Sequence, residues 1–159
     1  MFIKTNMVVE AVGLMKPTIQ QMLKSSGKKG LHIAVVVGEH PENDQNMKNT
    51  GYPIISNFDI GDRIEKYVNC ATGKARLSWR TTAPSGVISA RYPELLQPGD
   101  CVYTGGVAEA TENFCIAVGV SGLNDYEDEA LAKSILAFIR ARMIAWVRVI
   151  TQTSEGMVN

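Results

Sequence analysis

The feature that most constrains the fold is a nearly unbroken apolar segment at residues 114–120, with the sequence FCIAVGV. Successive side chains of a strand point to opposite faces of a sheet, so this strand must be covered on both faces. Residues 31–37 (LHIAVVV) are rich in β-branched side chains and predict another buried strand. A sheet with helices packed on it is therefore expected.

The flanking segments predict the first half of the fold. Apolar residues recur every three or four positions over residues 7–24, which predicts an amphipathic helix that Pro17 either kinks or restarts. Residues 52–58 predict a second strand, paired with the first as a hairpin. Between the two strands, residues 38–51 are polar and rich in turn formers, which predicts a long loop.

The second half repeats the pattern of helix, strand and strand, followed by a last helix. Asp59 can cap a helix that ends before residues 84–86, and residues 91–97 predict a short helical turn. Residues 101–103 and 114–120 predict two further strands, and the last helix begins at Asn124 or Asp125 and reaches as far as Ile150. Short connections between adjacent strands favour antiparallel pairing. A doubly wound nucleotide fold needs strands and helices that alternate, which this chain lacks. We predict one domain over residues 1–159.

Charge and cysteine content exclude several classes of function. Sixteen basic residues balance sixteen acidic ones, so we expect no nucleic-acid partner. No apolar segment approaches the roughly 20 residues of a membrane span, and no targeting signal is evident at the amino terminus. Cys70, Cys101 and Cys115 lie far apart, which predicts reduced thiols and a cytoplasmic protein.

The acidic helix start after residues 114–120 permits two interpretations. Asn124 or Asp125 can cap the helix, and acids in a first turn suit the helix dipole. Alternatively, these carboxylates hold a metal or a ligand, which Gly119 and Gly122 would allow to approach the backbone. Ser121 lacks the spacing of a nucleophile elbow, and no histidine has an evident place beside it.

The paired glycines and the two histidines are also considered as parts of a site. Gly105 and Gly106, with Thr104 before them, either leave a surface open to a flat ligand or form a hairpin or bulge. His32 is expected to be a hydrogen-bonded core or edge residue. His40 lies among acidic residues of the 38–51 loop, where a solvated loop is favoured over a metal site.

Three groups of residues occur in the order found in a known family. They are Lys74-Ala75 with Thr81 or Thr82, Gly105-Gly106, and the AVGVSG sequence of residues 117–122 with the acidic run that follows it. Together they resemble the GlcG-like domain family, also called the HbpS-like haem-binding or haem-degrading domain, which includes the carboxy-terminal domain of PduO-type proteins. The resemblance spans roughly residues 19–138.

The resemblance implies an α+β fold, with a central antiparallel sheet of about five strands and helices on its faces. It also implies a homo-oligomer and a small-molecule ligand, haem or a related tetrapyrrole. By matching positions, the residues expected around a pocket are Lys74, Thr104, Gly105, Gly106, Gly122 and Asp128. The chain departs from the family pattern in its long 38–51 loop and in the acidic residues that follow Gly106.

Three functional hypotheses follow. The first is a haem-type binding module. The second is a cofactor-free oligomeric protein, indicated by the broadly apolar residues 138–150. The third is an enzyme acting on a small metabolite, with Ser121, Asp128 or Lys74 in its pocket, although no nucleophile–base pair is evident.

Overall fold

A computed structural model describes residues 5–39, 53–111 and 114–155 of the chain. Its helices are α1 (Thr5–Ser26), α2 (Glu65–Thr81), α3 (Ser85–Arg91) and α4 (Asp125–Glu155), with a 3₁₀ turn at Pro93–Leu95. Its strands are β1 (Gly30–Gly38), β2 (Ile54–Gly61), β3 (Gly106–Thr111) and β4 (Phe114–Ser121). No helix in these described ranges is long and apolar enough to cross a membrane.

The four strands form one antiparallel sheet in the order β2-β1-β4-β3. The two most apolar strands are central, and Val35 of β1 faces Val118 of β4 in the register. The α+β class, the antiparallel sheet and the packed helices are confirmed. The described residues contain four strands rather than about five.

Helices cover both faces of the sheet, and the two layers differ in side-chain size. On one face, α1 and α4 pack against larger side chains such as Ile33, Val35 and Val118. On the other face, α2 packs through small residues, and Ala71 and Ala75 are fully buried. A Cβ atom on Gly119 would collide with the backbone oxygen of Ala71, so the glycine permits this close approach.

Several helix boundaries differ from those predicted. Helix α1 continues through Pro17 as one element, and α4 extends to Glu155 rather than Ile150. Asp59 lies within β2 and does not cap α2, whose N-cap is Ile64. Residues 40–52, which carry most of the predicted loop and His40, lie outside the described residues.

The predicted third strand and the predicted cysteine chemistry are both wrong. Residues 101–103 form a loop, and the strand begins at Gly106, so Gly105 precedes the strand and Gly106 is its first residue. Cys101 is joined to Cys70 by a disulfide across a sequence separation of 31. The reason is packing: Gly73 of α2 has no side chain, and the backbone of residues 99–101 lies directly against it. Only Cys115 is free among the three, and it is buried.

Candidate functional site

A buried ion pair joins three of the predicted elements. The Lys74 ammonium donates to the Val120 carbonyl at 2.8 Å and to Asp128 Oδ2 at 3.1 Å. The Leu123 N–H donates to Asp128 Oδ1 at 3.0 Å. Lys74 and Asp128 are 1% and 2% exposed. This network fixes the turn between β4 and α4 against α2.

The environment of Asp128 opposes its ionisation. Burial raises the pKa of this carboxyl above its ordinary value, while the Lys74 ammonium and the Leu123 N–H act in the opposite direction. The charge of Asp128 therefore depends on its partner Lys74. Removing either Lys74 or Asp128 would leave the other charge buried without its partner of opposite charge.

The predicted glycines surround the same ion pair. Gly105 has a φ of +126°, and a Cβ there would meet Lys74 Nζ and Asp128 Cβ. The Gly106 N–H donates to Ser85 Oγ at 2.9 Å. The structure thus brings together Lys74, Gly105, Gly106 and Asp128, with their polar groups bonded inside the protein.

The other two predicted positions lie at the margins of this cluster. Thr104 is partly buried and lies against Gly86 at the start of α3. Gly122 has a φ of +136° and packs on Leu31. A positive φ at this turn explains the glycine without a ligand. The role of all six residues in cofactor binding stays a prediction.

A histidine does lie beside Ser121, contrary to the sequence analysis. The β1–β4 register places His32 directly opposite Ser121. His32 is 1% exposed, and its Nδ1 lies 2.8 Å from Asp59 Oδ1. Its Nε2, however, bonds to Asn57 Oδ1 at 2.9 Å. The prediction of a hydrogen-bonded core histidine is confirmed, and a serine–histidine hydrogen bond is not formed.

A cleft that the sequence analysis missed lies between α2 and the β1–β2 edge of the sheet. Its volume is about 370 Å³. It forms because α2 packs mainly over β1, β3 and β4 and leaves part of β2 uncovered. The lining residues are Val36, Pro53, Ile55, Arg76, Trp79 and Arg80. The only sequence signal for this cleft was the spacing of Arg76, Trp79 and Arg80, which places the three side chains on one face of a helix.

Every polar side chain of this lining is a hydrogen-bond donor. Arg76 is exposed and has no ion pair within the described ranges. Arg80 is held by both carboxylate oxygens of Asp100, at 2.6 and 3.3 Å, and by the Leu95 carbonyl. The buried indole N–H of Trp79 has no acceptor among the residues described. Such an orphaned buried donor costs about 1–3 kcal/mol.

Metal-binding side chains do not gather in the described residues, where no group of three or more His, Cys, Asp or Glu could hold an ion. The cleft lining contains no His, Cys, Met or Tyr, the usual side-chain ligands of haem iron. The nearby Cys115 thiol donates to the Trp79 carbonyl at 3.7 Å, and burial raises its pKa to about 11. That thiol stays protonated at neutral pH.

Comparison with solved structures shows the fold. The chain is similar to the Klebsiella pneumoniae protein ORFY of family DUF336, with a TM-score of 0.57, 16% identity, and 83% and 89% of the two chains covered. It is similar to the PduOC:heme complex, with a TM-score of 0.58, 13% identity and coverages of 87% and 95%. It is also similar to HbpS, with a TM-score of 0.52, 19% identity and coverages of 86% and 89%.

Two of these structures, PduOC and HbpS, carry names that the resemblance gave, and the α+β class with an antiparallel sheet and packed helices is confirmed. No family model matches the sequence, and no curated protein matches it. At identities of 13–19% the likeness is one of fold.

Proposed function

We propose that the protein binds a flat, apolar molecule that carries carboxylates, with haem or a related tetrapyrrole as the first candidate. The observation that carries this proposal is the lining of the cleft, which combines apolar side chains with donors only. Val36, Pro53 and Ile55 suit the faces of an apolar ring system. The unpaired Arg76 suits a carboxylate, which guanidinium groups bind with two parallel hydrogen bonds.

The lining of the cleft fits the ring and the propionate groups of haem better than it fits the iron. Apolar walls, the Trp79 ring and Arg76 match a macrocycle with propionate groups, whereas the lining offers no side-chain ligand for iron. When bound, haem would supply redox-active iron, and the side chains of this cleft would bind and orient the ring. The haem named in the PduOC complex supports the choice of ligand class.

The cleft is tested by titration with haem and with metal-free protoporphyrin, followed by the Soret band. Both should bind saturably and with similar affinity, because the proposed contacts involve the ring and its carboxylates. Arg76→Gln should weaken both by about two- to fivefold, since an exposed ion pair is worth up to about 1 kcal/mol. Arg148→Gln is the matched control, because Arg148 is exposed on α4, which packs against the opposite face of the sheet.

Two other results would redirect the proposal. No saturable Soret change with either compound would remove tetrapyrroles as ligands. An Asp128→Asn variant that folds but loses more affinity than Arg76→Gln would place the ligand at the sequence-predicted residues and not in the cleft.

We also propose that the chain associates with copies of itself through α4. Phe138, Ala145 and Val149 lie on one stripe of this helix, and Phe138 and Val149 are 44% and 61% exposed. Apolar side chains aligned on the outer face of a helix are typical of protein–protein contacts.

A further inference from the structure

Three contacts tie the loop before β3 to α2, next to the cleft. The disulfide joins Cys101 of the loop to Cys70 of the helix. Asp100, the neighbour of Cys101, binds the Arg80 guanidinium and also accepts from the Gln97 N–H at 2.7 Å. The backbone of residues 99–101 lies against Gly73. The charge of Arg80 is therefore neutralised by Asp100, which lies in a loop that the disulfide at Cys101 ties to α2.

We propose that the Cys70–Cys101 disulfide is a reversible redox switch that sets how strongly the cleft binds anions, an inference that rests on the proposed function of the cleft. In the oxidised chain, the disulfide keeps the Asp100 carboxylate on Arg80. In the reduced chain, Asp100 leaves Arg80 more often, and the guanidinium becomes available to a ligand carboxylate. The reduced form binds the anionic ligand more tightly.

The chemistry is ordinary thiol–disulfide exchange with a dithiol reductant. One thiolate of the dithiol attacks a sulfur of the disulfide, and the other cysteine leaves as a thiolate that takes up a proton. The second thiol of the reductant then attacks the mixed disulfide, which frees the remaining cysteine. The protein gains two electrons and two protons, and the dithiol becomes a disulfide.

Two features favour reversibility. Both cysteines are partly exposed, so a small reductant can reach them. The close packing at Gly73 favours return of the loop to α2 after each opening, so that the two thiols can meet again. In reducing compartments, protein disulfides are mostly transient or redox-sensing.

The experiment compares the oxidised chain with a Cys70→Ser/Cys101→Ser variant, which avoids adding a reductant that would also reduce haem iron. The probes are haem and the aromatic anion 8-anilinonaphthalene-1-sulfonate, followed by absorbance and by fluorescence. The serine variant should bind both about two- to fivefold more tightly, the effect of releasing one partly exposed ion pair. Asp100→Asn with the disulfide intact should give a similar gain, and adding it to the serine variant should give little more.

Arg80 provides the decisive control. In an Arg80→Gln background the serine substitutions should no longer change affinity, whereas in an Arg76→Gln background they should still do so. A difference that persists without Arg80 would overturn the switch, because it would show general loosening of the chain. Equal affinity of the oxidised and serine forms would overturn it as well.

Hydrogen exchange without any ligand provides a second measurement. Treating the wild-type chain with a dithiol should speed exchange of amides in residues 97–103 and leave those of β1 and β4 unchanged. Unchanged exchange in this loop would contradict the switch. If neither probe binds either form, the cleft itself fails as a site and the switch fails with it, whereas equal binding to both forms refutes only the switch.

Discussion

Asp59 shows how a single side chain on the sheet responds to its neighbours. Partial burial alone would raise the pKa of this carboxyl, but hydrogen bonds and charges from His32 and Arg63 bring it below its ordinary value of 3.8. Arg63 donates to Asp59 Oδ2 at 3.1 Å. The carboxylate is therefore stabilised in the folded chain relative to the unfolded one.

This lowered pKa predicts an acid-dependent loss of stability. Below the ordinary value of 3.8 the unfolded chain binds the proton more readily, so the contribution of Asp59 is present above that pH and is lost as pH falls through the folded value. Urea unfolding from about pH 6 to about pH 2.5 should show the wild type converging on Asp59→Asn as pH falls. A constant difference between the two across this range would contradict the assignment.

The contact between α2 and β4 is the element-scale feature on which the cleft depends. Gly119→Ala should destabilise the chain by about 3 kcal/mol, because its Cβ would collide with backbone and the collision cannot be relieved by a rotamer change. Gly13→Ala is the matched control. Nothing lies within 4 Å of a Cβ on exposed Gly13 in α1, so alanine there should stabilise by about 0.5–1 kcal/mol.

Denaturant unfolding of both variants measures this difference. A Gly119→Ala variant as stable as the wild type would mean that α2 does not pack this closely on the sheet. The size of the cleft should then differ as well, since the position of α2 determines how much of β2 remains uncovered.

Elements whose signal is local were predictable. The pattern of side chains alone predicted β1, β4, α1 and α4, because an element that is buried on one or both faces carries apolar residues in a characteristic pattern. The loop at residues 101–103 was mistaken for a strand because its apolar side chains carry the same local signal. Its conformation is determined by two residues that are distant in the sequence. Cys70 forms the disulfide, and Gly73 has no side chain to keep the loop away from α2.

The candidate site was predictable to the same extent. The resemblance named Lys74 and Asp128, and the structure brings them together. Sequence spacing did not show that His32 faces Ser121, because that depends on strand register. Nor did it show the cleft, which exists because a helix covers three strands and not the fourth.

At the scale of the whole molecule, the stripe on α4 predicts self-association. Light scattering after size-exclusion chromatography should give a mass above that of one 17.3 kDa chain. A Phe138→Glu/Val149→Glu variant should shift toward monomer, because two buried charges at an apolar contact are costly. Tyr126→Glu, at an 87% exposed position near the start of α4, should leave the mass unchanged. A monomeric wild type would rule out this contact.

The sheet divides the apolar interior into two parts of unequal size, and this division affects which substitutions the fold tolerates. The larger core lies under α1 and α4, whereas the cleft opens on the other side, beside the small core under α2. Substitutions at Pro53, Ile55 or Arg76 can therefore accumulate with little effect on the part of the molecule that supplies most of its folding energy. The lining of the cleft can thus vary while the scaffold stays the same.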